Sequence, residues 1–453
     1  MARPASVHVC SACGHETARW AGRCPGCGEW NTLVEEAPEP RGSRSATRSG
    51  RRAPAPIPVA LADVVTEEQA RLQTGIGELD SVLGGGIVPG SLVLIGGSPG
   101  IGKSTLTTMA LANLAAAGRR TLYVSAEESP AQIRMRAQRL CCGAALGIPV
   151  IAETDLERVL AALEAERPEV CVIDSVQTLS SPELTSAPGS VGQVREVAGE
   201  VMRVAKSRGI AVLLVGHVTK DGALAGPRVL EHLVDCVLQF EGDRERTYRT
   251  LRATKNRFGS TDEAGVFEMR DDGLAEVLDA SARFVGEATG APGSVVLCAM
   301  EGSRPLLVEV QALVSASELV PPRRVVAGLD RNRLALVLAV LGRHAGIGLG
   351  GADVFVNVVG GVRVDEPGAD LAVALALASA VKRVALSGAG GRPLACFGEL
   401  GLTGELRHVA HGERRRAEAM KFGLSPVIEP ERQRGVRAAI AAALEAGTRA
   451  AAA

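Results

Sequence analysis

The stretch SLVLIGGSPGIGKST, residues 91–105, restricts the possible folds more than any other part of the 453-residue chain. Its first half is a continuous apolar run, the pattern of a strand buried on both faces. Its second half is G-x-x-x-x-G-K-S, and a helix-like TLTTMALANLAAAG follows. Strand, glycine-rich turn and helix in that order form a phosphate cradle. The nucleotide-binding set is Gly97, Ser98, Pro99, Gly100, Ile101, Gly102, Lys103, Ser104 and Thr105. The glycines let backbone N–H groups close around phosphates, Lys103 reaches the β- and γ-phosphate oxygens, and Ser104 holds Mg²⁺. Such a cradle sits on a parallel α/β sheet, and residues 61–284 alternate strand-like and helical runs accordingly.

The same segment carries the cradle's chemical companions. EVCVIDSV is a buried strand ending in Asp174, whose carboxylate meets Mg²⁺ in the Walker B role. RTLYVSAEES ends beside Glu127 and Glu128. A carboxylate one strand over from the cradle orients and activates the attacking water; Glu127 is the first candidate and Glu128 the second. GIAVLLVGHVTKDG ends at His217, either a γ-phosphate sensor or an ordinary strand-end histidine. An additional strand ending in glutamate between the Walker segments resembles the RecA-type ATPase core, in which the γ-phosphate lies between neighbouring subunits. In that setting Lys255 and Arg257, alternate residues after the strand-like YRTLRAT, are candidates for a cationic finger.

Lys and Arg total 50 and Asp and Glu 51, so any polyanion must be held by local clusters. Aromatic residues make up 2%, which argues against a base-stacking platform. The N-terminus has no charged start with an apolar signal core, and runs such as DLAVALALASAV are too short to cross a bilayer. A cytoplasmic protein without membrane association is expected, with its ten cysteines as metal ligands and buried thiols. Cys10, Cys13, Cys24 and Cys27 follow C-x2-C-x10-C-x2-C, two knuckles that close a tetrahedral structural Zn²⁺ site. Residues 1–35 are too few for a core of their own, and metal binding worth about 10–16 kcal/mol would fold them. Residues 36–60 are a Pro/Arg/Ser/Gly-rich linker carrying Arg41, Arg44, Arg48, Arg51 and Arg52, either a solvated spacer or a phosphate contact.

Taken together, CPGCGEWNT, TGIGELDSVLGGGIVPGSLVLIGGSPGIGKST, LYVSAEES, GHVTKDG, GPRVLEHLVD and KNRFGS resemble the RadA (Sms) family of bacterial DNA-repair proteins over essentially the whole chain. The resemblance implies an ATP-driven motor that binds single-stranded and branched DNA in homologous recombination. It implies branch migration alongside RecA, a homo-hexameric ring, and likeness to replicative helicases of the DnaB type. Lys255, Asn256, Arg257, Phe258 and Gly259 match the family's signature motif, which couples nucleotide state to DNA binding. Residues 178–195 and 220–228 resemble in position the DNA-gripping loops of RecA-type motors, with Lys220 and Arg228 as preferred phosphate contacts. A KaiC-like signalling ATPase shares TGIGELDSVLGGG and the cradle but needs no DNA; the ribbon and KNRFG argue against it.

Residues 285–453, most clearly 353–453, are similar to the proteolytic domain of Lon proteases. That chemistry needs a serine nucleophile and a lysine. The alignment puts Asp370 at the serine position and Glu413 near the lysine position, so a retained scaffold without proteolysis is expected. Lys382, Arg383, Arg407, Arg414, Arg415 and Arg416 are candidate phosphate contacts on it.

Overall fold

The protein's structure, a computed structural model, describes residues 7–10, 15–26, 28–36, 71–140, 143–184, 186–216, 229–242 and 248–452. Cys13, Cys27, the linker, His217, Lys220 and Arg228 lie outside the described residues. At the N-terminus β1 (Val7–Cys10), β2 (Glu16–Thr17) and β3 (Leu33–Glu36) form an antiparallel sheet in the order β2-β1-β3.

The chain divides into two compact units. The first comprises the described residues up to Phe240 together with Ala253–Ser260 and Asp271–Leu274. The second comprises Glu241–Arg252, Thr261–Arg270 and Ala275–Ala453. The sequence alone puts one boundary near residue 284, whereas the units interleave along the chain between 240 and 275.

In the first unit, helix α1 (Gly77–Leu83) precedes β4 (Leu92–Gly97), α2 (Lys103–Ala116), β5 (Thr121–Ser125) and α3 (Pro130–Arg139). There follow β6 (Val150–Ala152), α4 (Leu156–Glu166), β7 (Val170–Asp174), α5 (Val191–Arg208), β8 (Ala211–Val215), α6 (Val229–Leu233) and β9 (Cys236–Glu241). Six parallel strands run in the order β9-β4-β8-β7-β5-β6. β4, β5, β7 and β8 are buried along their whole length, as continuous apolar runs require when helices cover both faces. Local chemistry starts the helices. Ser129 caps α3 in a reciprocal box with Gln132, with Pro130 in the first turn, and Ser190 and Asp155 cap α5 and α4.

The strand order corrects one expectation. The strand that ends at Glu127 is not one over from the cradle strand, because β8 and β7 stand between β4 and β5. The connection after β7 returns beside β4 and takes the central place; adjacency of apolar runs in sequence does not reveal that crossover.

In the second unit the part of β10 (Tyr248–Asn256) up to Arg252 forms a hairpin with β11 (Ala264–Arg270), pairing Tyr248 with Glu268 through Arg252 with Ala264. The chain continues through β12 (Gly273–Glu276), α7 (Ala280–Gly286), β13 (Ser294–Glu301), β14 (Arg304–Ala316), β15 (Arg324–Ala327) and α8 (Arg331–Val340). It closes with β16 (Ala352–Val358), α9 (Asp370–Lys382), β17 (Ala395–Cys396), β18 (Glu399–Leu400), β19 (Leu406–Arg407), α10 (Gly412–Lys421), β20 (Val427–Ile428) and α11 (Val436–Ala452). The main sheet runs β15-β16-β14-β13-β17-β20, and the alanine-rich α9, buried from Asp370 to Ser379, joins it in one hydrophobic core. Small residues let this helix lie close on its neighbours.

Of the arginines expected at the surface of this unit, one is internal and a second is tied up in ion pairs. Arg415 is 1% exposed and donates to the carbonyls of Ala410 (2.9 Å) and Cys298 (2.7 Å), while its fork grips Glu366. It cannot reach a phosphate. Arg416 is held by Glu429 at 2.9 Å and by Glu431. Lys382, Arg383, Arg407 and Arg414 remain exposed. Asp370 is also engaged: its carboxylate takes both forks of Arg333 and, at 3.2 Å, the Leu400 N–H. Glu413 lies exposed in the first turn of α10.

Candidate functional site

The site grows from the turn between β4 and α2. Gly100 (φ +77°) and Gly102 (φ +116°) adopt left-handed backbone that a side chain would strain. Gly102 occupies the N-cap of α2 and offers no side-chain acceptor, so the helix's first N–H groups face outward with the positive end of its dipole. The Lys103 ammonium, 4% exposed, donates to the carbonyls of Gly97 (2.7 Å) and Ser98 (3.1 Å). Burial pulls its pKa below the ordinary lysine value, and the nearby negative charges of Asp174 and Glu127 oppose that shift. A buried cation at an uncapped helix start fits a polyphosphate. Among the described residues the Ser104 hydroxyl makes no hydrogen bond; with the buried Asp174 it fits the ligand pair expected for Mg²⁺.

Asp174 closes β7 and is 7% exposed. Its Oδ2 accepts from the Tyr123 hydroxyl at 2.6 Å, and that hydroxyl in turn accepts from Arg136 at 2.9 Å. Arg136 also stacks over the Tyr123 ring, 5.8 Å from its centroid, and pairs with Glu128. Burial, reinforced by the Asp174 charge, pushes the Tyr123 phenol well above its ordinary pKa, so it stays a donor. The two carboxylates that the sequence leaves open thus differ. Glu128 is bound to Arg136, with its backbone N–H on Ser125 Oγ at 2.9 Å. Glu127 accepts from Ser175 Oγ, the residue directly after Asp174. Tyr123, Arg136 and Ser175 escaped sequence reasoning. A tyrosine in an apolar strand looks like core, although its buried hydroxyl needed a partner.

The KNRFG segment lies elsewhere. Lys255 Nζ donates to the carbonyls of Glu231 (2.5 Å) and Val234 (2.7 Å) at the end of α6, and Arg257 pairs with Asp235 at 2.9 Å. Burial, then the like charge of Arg257, lowers the Lys255 pKa. Asn256 Nδ2 reaches the Val82 and Leu83 carbonyls at 3.4 Å, closing the end of α1. A Cβ on Gly84 would stand 3.4 Å from Gly259 Cα, so the KNRFG segment and the GGG run of residues 84–86 pack glycine to glycine. Asp235 is fixed by the Leu92 N–H (3.1 Å) at the start of β4, whereas the cradle follows Gly97 at its end. Six residues of strand separate them, about 17 Å. Lys255 and Arg257 therefore sit at the opposite end of the strands from the cradle of their own chain.

The described residues between 178 and 195, which run into α5, are organised by one side chain. Gln193, 1% exposed, accepts from Ser181 N–H (2.8 Å) and donates to the carbonyls of Ser181, Leu184 and Ser186. In the ribbon, Cys10 and Cys24 are buried and begin knuckles with matching closure: Cys10 N–H to the His15 carbonyl at 2.9 Å, Cys24 N–H to the Glu29 carbonyl at 2.8 Å. The Gly26 N–H donates to Cys24 Sγ at 3.3 Å. The matching closures at Cys10 and Cys24 and the N–H···S bond at Cys24 fit two ligands of the expected Zn²⁺ site, whose other two, Cys13 and Cys27, lie outside the described residues. Among the described residues no helix is long and apolar enough to cross a membrane.

Residues 8–35 match the family described as rubredoxin metal binding domain, and residues 56–223 match the AAA domain family. The chain is 52% identical over 433 residues to DNA repair protein RadA of Pseudomonas aeruginosa, covering 95% of this chain and 94% of the relative. It is 47% identical to that of Bacillus subtilis (95% and 93%) and 47% identical to that of Escherichia coli (94% and 93%). The crystal structure of the RadB recombinase overlaps 46% of this chain and 99% of its own, with a TM-score of 0.37 and 22% identity, too loose a likeness to carry an argument.

Proposed function

The chain belongs to the RadA family of DNA repair proteins, and from that premise we propose that it is an ATP-hydrolysing motor that acts on DNA in repair and homologous recombination. Lys103 and the first N–H groups of α2 bind the β- and γ-phosphates. Ser104 and Asp174 hold Mg²⁺, which when bound with ATP supplies charge neutralisation during phosphoryl transfer. Tyr123, tied to Arg136, keeps the Asp174 carboxylate in place. Glu127 orients the attacking water, with Ser175 fixing its direction; Glu128 is excluded from that task by its pairing with Arg136. The observation that carries this reading is the buried Lys103 ammonium on the Gly97 and Ser98 carbonyls at an uncapped helix start.

The substrate is single-stranded and branched DNA, gripped by residues 178–195 and by Lys220 and Arg228, and the product is branch migration alongside RecA. The chain works as a homo-hexamer in the cytoplasm, with Zn²⁺ structural in the ribbon. Because Arg257 lies about 17 Å from its own cradle, its cation serves the triphosphate of a neighbouring subunit. Lys255, with its ammonium on the α6 carbonyls, sets the direction in which Arg257 leaves the strand. ATP turnover of the zinc-loaded chain, with and without single-stranded DNA, tests the reading. A severalfold stimulation by DNA is expected; a rate indifferent to DNA at every nucleotide concentration would leave a signalling ATPase instead.

A further inference from the structure

Both tryptophans of the chain lie on the ribbon, and both are exposed, Trp20 at 59% and Trp30 at 68%. Tryptophan is on average highly buried, so two in water on one small module call for a partner. The backbone gathers them: Arg23 and Trp30 form an antiparallel bridge, and the Asn31 N–H donates to the Gly22 carbonyl at 2.8 Å. A Cβ built on Gly22 would stand 3.6 Å from Trp30 Cζ3 and 3.8 Å from Trp20 Cη2. The two six-membered rings thus meet at a single glycine, flanked in sequence by Arg19 and Arg23. Neither arginine forms an ion pair with a described residue; Arg23 donates through Nε to the Gly28 carbonyl at 2.7 Å, and that bond steadies its guanidinium.

We propose that Trp20 and Trp30 form a stacking surface for the bases of single-stranded nucleic acid, with Arg19 and Arg23 receiving the adjoining phosphates. The inference rests on the DNA-binding reading above and assigns it a site. Exposed indoles with arginines next to them in the chain match a polymer that alternates π-faces with negative charge, and stacking needs no particular base. After Glu35, Glu36 and Glu39 the chain carries Arg41, Arg44, Arg48, Arg51 and Arg52 with no acid among them. The scarcity of aromatics argued against such a platform, but scarcity over 453 residues does not measure local density: the two indoles fall within eleven residues of each other.

Because the chain has two tryptophans and both lie here, its tryptophan fluorescence reports on this surface alone. The zinc-loaded full chain is titrated with dye-labelled oligo(dT), following dye anisotropy and tryptophan emission together. The expected result is quenching that tracks anisotropy. Trp20→Leu and Trp30→Leu should each weaken binding by about fivefold or more, while Trp20→Phe and Trp30→Phe retain most of it. ATP turnover without DNA should not change in any of the four. The Phe variants keep the test sharp should a Leu variant lose its zinc. Anisotropy that rises while emission stays constant would overturn this site and leave DNA binding standing. No rise in anisotropy would overturn both. Emission that responds to a protein such as RecA but never to oligo(dT) would make the surface a protein-docking one and overturn the inference.

Discussion

Replacing Tyr123 with phenylalanine removes one oxygen and keeps the ring. That oxygen is the 2.6 Å donor to Asp174 and the 2.9 Å acceptor for Arg136. A hydrogen bond to a buried charged group contributes about 1.5–3 kcal/mol. If Asp174 serves as a metal ligand, most of that loss falls on the Mg²⁺–ATP complex, because an untethered carboxylate must be ordered when the metal binds. At about 1.4 kcal/mol per tenfold, the Mg²⁺ needed for half-maximal turnover should rise roughly tenfold or more. The maximal rate at saturating Mg²⁺ should stay within about twofold of the parent, since the phenol touches no reacting atom. Burial keeps the phenol protonated well above the ordinary tyrosine range, so the difference should persist up to about pH 9. The assay is steady-state hydrolysis against free Mg²⁺, with thermal unfolding as a companion. A lowered melting temperature with an unchanged Mg²⁺ requirement would refute the reasoning and make the hydroxyl a packing bond.

Three further substitutions separate the parts of the account. Lys103→Ala should abolish hydrolysis, measured by phosphate release; unchanged turnover would dismiss the cradle. Arg257→Ala should remove DNA-stimulated turnover and lower the melting temperature only slightly, since the buried Asp235 keeps the Leu92 N–H and Lys206 as partners. Lys255→Ala should lower both, because the carbonyls of Glu231, His232 and Val234 lose their donor. Arg415→Met should destabilise the second unit by about 3 kcal/mol in denaturant titration by stranding Glu366, and adding Glu366→Gln should recover part of that loss.

Much of this was legible because local chemistry and fold agree. The apolar runs of β4, β5, β7 and β8 and the glycine spacing at residues 97–104 each dictate an element without help from distant residues. Pairing across the sheet is different. Nothing in RTLYVSAEES reveals that β8 and β7 separate it from β4, and nothing marks Tyr123 as the partner of Asp174. The KNRFG segment invited a symmetric reading of two outward cations, but Lys255 turns to helix carbonyls and Arg257 to Asp235. The run of three arginines at residues 414–416 concealed an inward one, and the helical period held the clue: Arg415 and Ala419, four apart, share the buried face of α10.

Arg257 and the cradle stand at opposite ends of β4, so completing one site with residues from two chains is the claim on which the rest depends. Mixing equal amounts of the Lys103→Ala and Arg257→Ala chains, each inactive alone in DNA-stimulated hydrolysis, measures it directly. Random assembly leaves about a quarter of the interfaces with an intact cradle facing an intact Arg257, so about a quarter of parental turnover should return. A mixture as inactive as its components, under conditions where the chains exchange, would contradict the claim.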